Sequence, residues 1–431
     1  MLKKLKSEWQ IARNLLSYMS IQATGQALAV VLPFAIAKVF SKTTFGHYSL
    51  CEMIIFLFLV LMATMRTPFI VHGSEERTKT GMMNNTFSIQ CILVACCITS
   101  YIVFVIVFRR FILRFADITN STLVCMSLGF LGMVLKEFVV SIFLATGQRK
   151  TSSLADLIFG AASFVLVGVF IILNRMTLSS VFIIYFLASL VVVFFLIPFS
   201  LNTKSLLPFK FDITNLKNTV NFNLWLGIGV VAVYIVNWSS LAILRKYASF
   251  EDIATYNLAS KVFKGAQMLN AMIPMYFLPF ISENISNPLA IKVYLKQKRP
   301  RIVAMIIVGF MVFMFIVPRL LEMLYPGKFM GAVPIARLLL VASVVSINSG
   351  LYAPILIAAK QYKISQIVSI LLILVSLISN ILLIPKYGLY GAAIAMIITQ
   401  LYFSIAYEVL FRLVFKPQLC SRQETECHLN P

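Results

Sequence analysis

The chain has 431 residues, of which 60% are hydrophobic and only 12% charged, and its formal net charge is +22. Soluble domains carry about 25% charged residues, so a water-soluble globular fold is excluded and an integral membrane protein is indicated. The positive charge does not indicate a nucleic-acid binder, because lysines and arginines fall in short runs between apolar stretches rather than on one soluble face.

A spanning helix needs roughly 20 mostly apolar residues, since ~1.5 Å of rise per residue must cross about 30 Å of hydrocarbon. Twelve such spans are predicted, at 17–40, 48–70, 84–108, 121–145, 153–174, 178–200, 221–245, 255–280, 302–321, 333–358, 364–385 and 390–412. The period-two alternation of a membrane barrel is absent, so the predicted fold is an all-α helical bundle.

The first span follows "MLKKLK" and closes on "AIA" (35–37), which has the shape of a cleavable secretion signal. Its long polar lead-in and its part in the repeat described below assign it as a span. Between spans three and four lies the basic loop "RRFILRF" (109–115). With the amino terminus in the cytoplasm, inner loops hold about twice the lysine and arginine of outer loops, which sets both termini inside. Arg109, Arg110 and Arg114 count against that assignment. Between spans six and seven runs the longest polar loop inside the bundle, "LNTKSLLPFKFDITNLKNT" (201–219). The loop "IKVYLKQKRPR" (291–301) is basic with interleaved apolar residues and is expected on the surface of an anionic leaflet. In "IPKYGLYGAA" (384–393), Pro385 ends span eleven and Gly388 and Gly391 restart span twelve, predicting a tight hairpin. Five of the seven cysteines lie in apolar spans, so no disulfide framework is read. Cys420, Cys427 and His428 in the tail lack a fourth ligand, so no metal site and no cofactor is expected.

The second half echoes the first at an offset of about 210 residues. "SKTTFGHYSL" (41–50) aligns with "SFEDIATYNL" (249–258), "ATGQRKTSS" (145–153) with "AAKQYKISQ" (358–366), and "NRMTLSS" (174–180) with "PKYGLYG" (385–391). An offset of six spans keeps both halves in one orientation, so two six-helix bundles related by a parallel repeat are predicted, enclosing a cleft. The expected organisation is an N-terminal bundle at 1–200, a cytoplasmic connector at 201–220, a C-terminal bundle at 221–412 and a cytoplasmic tail at 413–431.

An ionisable residue within a span costs at least ~2.5 kcal/mol, so it should face a bundle interior or a wet cavity. Arg66, Lys136, Lys261, Lys264 and Arg337 are the candidate cleft cations. Glu137 and Asp156 are the candidate carriers of a coupling proton, with sodium left open. Adjacent Lys136 and Glu137 point about 100° apart on a helix and are not expected to pair with each other. In span seven, Asn223, Tyr234, Asn237 and Trp238 offer amides and aromatic faces of the kind sugars favour, though buried asparagines also hold helices together.

"NILLIPKYGLYGAAIAMIIT" (380–399), "FSKTTFGHYSL" (40–50), "TYNLASKV" (255–262) and "LYPGKFMGA" (324–332) together resemble segments of Wzx-type polysaccharide flippases of the multidrug/oligosaccharidyl-lipid/polysaccharide exporter superfamily. The resemblance covers the whole chain, but its motifs are packing and hairpin motifs. It implies a non-enzymatic transporter of the bacterial inner membrane, turning undecaprenyl-pyrophosphate-linked O-antigen or similar repeat units to the periplasmic leaflet by alternating access. It further implies a polysaccharide polymerase and a chain-length regulator as partners, alongside membrane lipids. The alternatives are a multidrug exporter of the same superfamily, expected to show an acidic rather than a basic cleft, and a membrane polymerase or glycosyltransferase, against which the short outer loops and scattered histidines speak.

Overall fold

The computed structural model describes residues 2–200, 206, 209–210, 212–284, 299–358 and 362–415. Its elements are α1 (Leu2–Val39), α2 (Lys42–Thr80), α3 (Asn84–Val107), α4 (Arg109–Ala116), α5 (Asn120–Ala145), α6 (Arg149–Ile172), α7 (Leu178–Ser200), α8 (Ile213–Tyr247), α9 (Phe250–Asn284), α10 (Arg299–Leu324), α11 (Ala332–Ala358) and α12 (Tyr362–Leu410), closed by a π-turn at Phe411–Phe415. Among the described residues nine helices are long and apolar enough to cross a membrane. α12 counts once among them but supplies two arms. With α9 and α11 added, the spans number twelve, as the hydropathy predicts. The cleavage-like "AIA" lies inside α1, with Ile36 and Ala37 fully buried.

The chain divides into two compact units, Met1–Val230 and Val231–Pro431, with the division falling inside α8. In the first unit α5 packs on α7 and α2, and α6 on α1 and α7. Tyr101 stacks on Phe130 with ring centroids 3.9 Å apart, and Phe58 meets Tyr101 edge-on at 5.2 Å. In the second unit α11 packs against α9, α10 and α12. Its helices are joined by amides and hydroxyls, the linkage available where hydrophobicity no longer drives association. Ser240 donates to Asn380 Oδ1 at 2.9 Å, joining α8 to α12, and Asn270 donates to the Ser343 carbonyl at 2.9 Å, joining α9 to α11.

The repeat is visible in local chemistry. Ser41 caps α2 by accepting from Thr44 N–H at 3.0 Å, and Ser249 caps α9 by accepting from Asp252 N–H at 3.2 Å. Seven residues beyond each cap, Tyr48 and Tyr256 are buried. The first shares a hydrogen bond with Tyr185 at 2.7 Å, and the second bonds Ser240. Leu50 and Leu258 are both fully buried.

Three stretches differ from the sequence reading. "RRFILRF" forms helix α4 rather than a loop. α2 runs on to Thr80, ten residues past the predicted end of span two, and stops at Gly81 in the left-handed conformation, φ 74°. Its 39 residues exceed the hydrocarbon by nearly twofold at ~1.5 Å each. The projecting end is used: Glu76 accepts the backbone N–H groups of Asn85 at 3.0 Å and Thr86 at 2.8 Å, capping α3, while Arg77 donates to the Thr146 carbonyl at the end of α5. The last part of the polar connector is already the first turns of α8. Cys420, Cys427, His428 and most of the loop 291–301 lie outside the described residues.

The glycine hairpin is present, but α12 continues through Pro385 and reverses at Gly388, whose φ of 55° and ψ of −126° few other residues tolerate. In a straight helix Leu383 and Gly391 would be ~12 Å apart; here a Cβ on Gly391 would lie 2.2 Å from the Leu383 carbonyl oxygen. Gly391→Ala therefore forces the arms apart, and Gly388→Ala costs about 1–3 kcal/mol in backbone strain. Both are expected to lower the melting temperature in detergent. Gly309→Ala, where nothing lies within 4 Å, should not.

Candidate functional site

Four of the predicted residues meet in the first unit. Glu137 on α5 accepts from Arg66 on α2 through Oε2 and from Lys136 through Oε1 at 2.9 Å. Lys136 also reaches Asp156 Oδ1 on α6 at 2.6 Å, and Gln22 on α1 donates to Asp156 Oδ2 at 3.1 Å. All four carboxylate oxygens thus hold a donor, and the formal charges cancel. The expectation that Lys136 and Glu137 would not pair is overturned. Their Cβ atoms diverge, but the lysine stem is long enough to curl back along its own helix while its ammonium serves both carboxylates. That ammonium also lies 5.2 Å from the centre of the Phe159 ring.

The local backbone explains the meeting. Gly25, one turn from Gln22, lets α1 press against α6 where a Cβ would sit 2.9 Å from the Leu157 nitrogen and 3.2 Å from the Asp156 Cβ. Pro68 lies two residues beyond Arg66, and its ring removes the N–H that would bond the Thr64 carbonyl, loosening α2 near the charge. The side chains are partly covered, from 12% exposed at Lys136 to 35% at Arg66. A closed, neutral network of this kind ties four helices together and offers no spare cation.

The second unit gathers a different set. Lys261 and Lys264, three residues apart on α9, share the Trp238 ring of α8. The Lys264 Nζ is 3.5 Å and the Lys261 Nζ 5.6 Å from the ring centre. Tyr234, one turn before Trp238, lies 6.4 Å from it between ring centres. Lys261 and Trp238 are buried, and Lys264, Tyr234 and Asn237 half-buried. No aspartate or glutamate occurs in α8, in α11, or in α9 between residues 253 and 282. Cation–π attraction contributes about 0.5–2 kcal/mol here, while the like charges repel.

The remaining predicted residues are dispersed. Arg337 is exposed in the second turn of α11 and makes no ion pair among the described residues. Asn223 is half-buried early in α8 with its Oδ1 unpartnered among the described residues. Sequence reasoning passed over Glu52, a buried carboxyl on α2 in electrostatic contact with Tyr48 and Tyr185, although one acid within an apolar span is itself the signal. It also passed over Gln22. Among the described residues no group of three His, Cys, Asp or Glu is placed to hold a metal ion.

No protein-family profile matches the chain. Over 103 residues, 24% of the chain, it is 33% identical to a capsular polysaccharide biosynthesis protein, CapF, of Staphylococcus aureus, and the match spans 26% of that protein. Its fold is shared across nearly the whole length with solved transporters. An inward-facing multidrug resistance MATE family transporter of the MOP superfamily superimposes with a TM-score of 0.76 at 13% identity, covering 95% of this chain and 99% of that one. Lipid II flippase MurJ, in an inward closed conformation, gives 0.69 at 17% identity, covering 92% and 86%. An outward-facing MATE transporter gives 0.69 at 14%, covering 95% and 96%. These likenesses show the fold.

Proposed function

We propose that the protein is a flippase for polyprenyl-pyrophosphate-linked oligosaccharides, moving repeat units of a surface polysaccharide across a bacterial cytoplasmic membrane by alternating access. The observation that carries this reading is the pair of ammonium groups, Lys261 and Lys264, gathered on the Trp238 ring. A pyrophosphate concentrates negative charge, and ammonium groups in a low-dielectric setting suit it; a cationic drug would meet repulsion there. The likeness in fold to a lipid II flippase and the short match to a capsular polysaccharide protein support the same cargo class. Glu137 and Asp156 are proposed as the proton-exchanging pair, since protonating either carboxylate would leave Lys136 held by the other alone.

The test is translocation of a labelled polyprenyl-pyrophosphate oligosaccharide in proteoliposomes. The expected result is protein-dependent movement of the label between leaflets. Export of cationic dyes without movement of glycolipid would overturn the reading in favour of a multidrug exporter.

A further inference from the structure

Helix α4 joins the end of α3 to the start of α5, at the face of the first unit where α1 ends and α2 begins. There His47 Nδ1 lies 2.8 Å from the Ala116 carbonyl oxygen. Its eight residues are strongly sided. Ile112 and Ala116 are fully buried against the unit. At 3.6 residues per turn, Arg110 and Arg114 fall on one face roughly opposite them, with Phe111 and Phe115 between. Phe111 is 59% exposed and stacks on Phe115 at 5.4 Å, and the preceding Ile106, Val107 and Phe108 are exposed as well.

The three arginines are not equivalent. Arg109 is held by Asn120, donating to its Oδ1 through Nε at 3.1 Å and Nη2 at 2.9 Å. Arg110 and Arg114 are exposed and have no hydrogen-bond or ion-pair partner among the described residues. Asp117, which ends the helix in the left-handed conformation at φ 51°, is the acid of the segment, so residues 109–117 carry three positive charges and one negative.

We propose that α4 lies in the plane of the membrane interface and that Arg110 and Arg114 hold the phosphate of an anionic phospholipid. An amphipathic helix between two spanning helices, with its buried face on the protein and aromatic rings at its flank, places those rings at the acyl boundary and its cations at headgroup level. Guanidinium groups one turn apart present paired N–H donors to phosphate oxygens, a geometry lysine does not reproduce. The charge complements an anionic lipid and not the net-neutral phosphatidylcholine. This also accounts for basic residues on a face where the charge distribution of the loops disfavours them.

The full chain would be reconstituted in nanodiscs of phosphatidylcholine with a minor fraction of phosphatidylglycerol, and retained phosphatidylglycerol counted by native mass spectrometry. Arg110→Gln/Arg114→Gln is expected to weaken retention roughly five-fold for each arginine removed. Arg175→Gln, an exposed arginine in the turn after α6 at the same face, should leave it unchanged. Equal retention in wild type and double variant, or an equal fall in the Arg175 variant, would overturn the proposal. So would displacement of the lipid by millimolar inorganic phosphate or pyrophosphate, which would mark a site for a free anion. Should the double variant not fold, Arg110→Lys/Arg114→Lys keeps the charge and removes the fork: a fall in retention supports the proposal and wild-type retention overturns it.

Discussion

Removing both ammoniums from the face of Trp238, as Lys261→Gln/Lys264→Gln, is expected to slow glycolipid translocation in proteoliposomes by roughly a hundred-fold or more. Each hydrogen bond to a charged group contributes about 1.5–3 kcal/mol, so one lost ammonium corresponds to at least a ten-fold effect. Folding should survive, because the change removes two like charges that share one ring face. An unchanged or raised melting temperature would verify that. Trp238→Leu separates the roles: it takes away the surface that gathers the lysines and leaves their charge, so a smaller loss is expected. Wild-type transport by a folded double variant would remove the anionic-cargo reading.

The second large effect is on stability and belongs to the first unit. Lys136→Met leaves Glu137 with Arg66 alone and Asp156 with only the Gln22 amide, in a partly covered site. Stranding one member of a buried ion pair costs about 3–5 kcal/mol. Adding Asp156→Asn restores neutrality, since the Arg66–Glu137 pair then stands alone, and the double variant is expected to melt well above Lys136→Met. A double variant no more stable than the single one would show that the network does not balance charge. The comparison bears on transport too: activity lost in Lys136→Met but regained with Asp156→Asn would place Lys136 in the scaffold and not on the cargo, and would remove Asp156 from the proton-exchanging pair.

The spans were legible in the sequence because the constraint behind them is local and severe: a helix must be apolar for about 20 residues or it does not cross. The hairpin at Gly388 was legible for the same reason, being decided by a few neighbouring residues. The ionic network was not. The partner of Arg66 lies 71 residues away, and no periodicity within α2 names it. The rule that neighbouring residues diverge holds for Cβ directions but not for the tip of a lysine, which is why the Lys136–Glu137 contact was misjudged. α4 was missed because eight residues with three arginines register as a charged loop in any window wide enough to detect a span. The gathering of Lys261 and Lys264 on Trp238 needed the packing of α8 on α9 to be seen.

The distances in sequence within the ionic network set an order of events during synthesis. Arg66 enters the bilayer long before the ribosome reaches Glu137, and Gln22 waits 134 residues for Asp156. Until α5 emerges, α2 carries a bare guanidinium into a setting that penalises it by at least ~2.5 kcal/mol. Release of each helix into lipid as it is made would incur that cost; retention at the insertion machinery until α6 is complete would avoid it. The network therefore makes α1 to α6 a single unit of insertion, one whose ionic contacts are finished only when Asp156 has been translated.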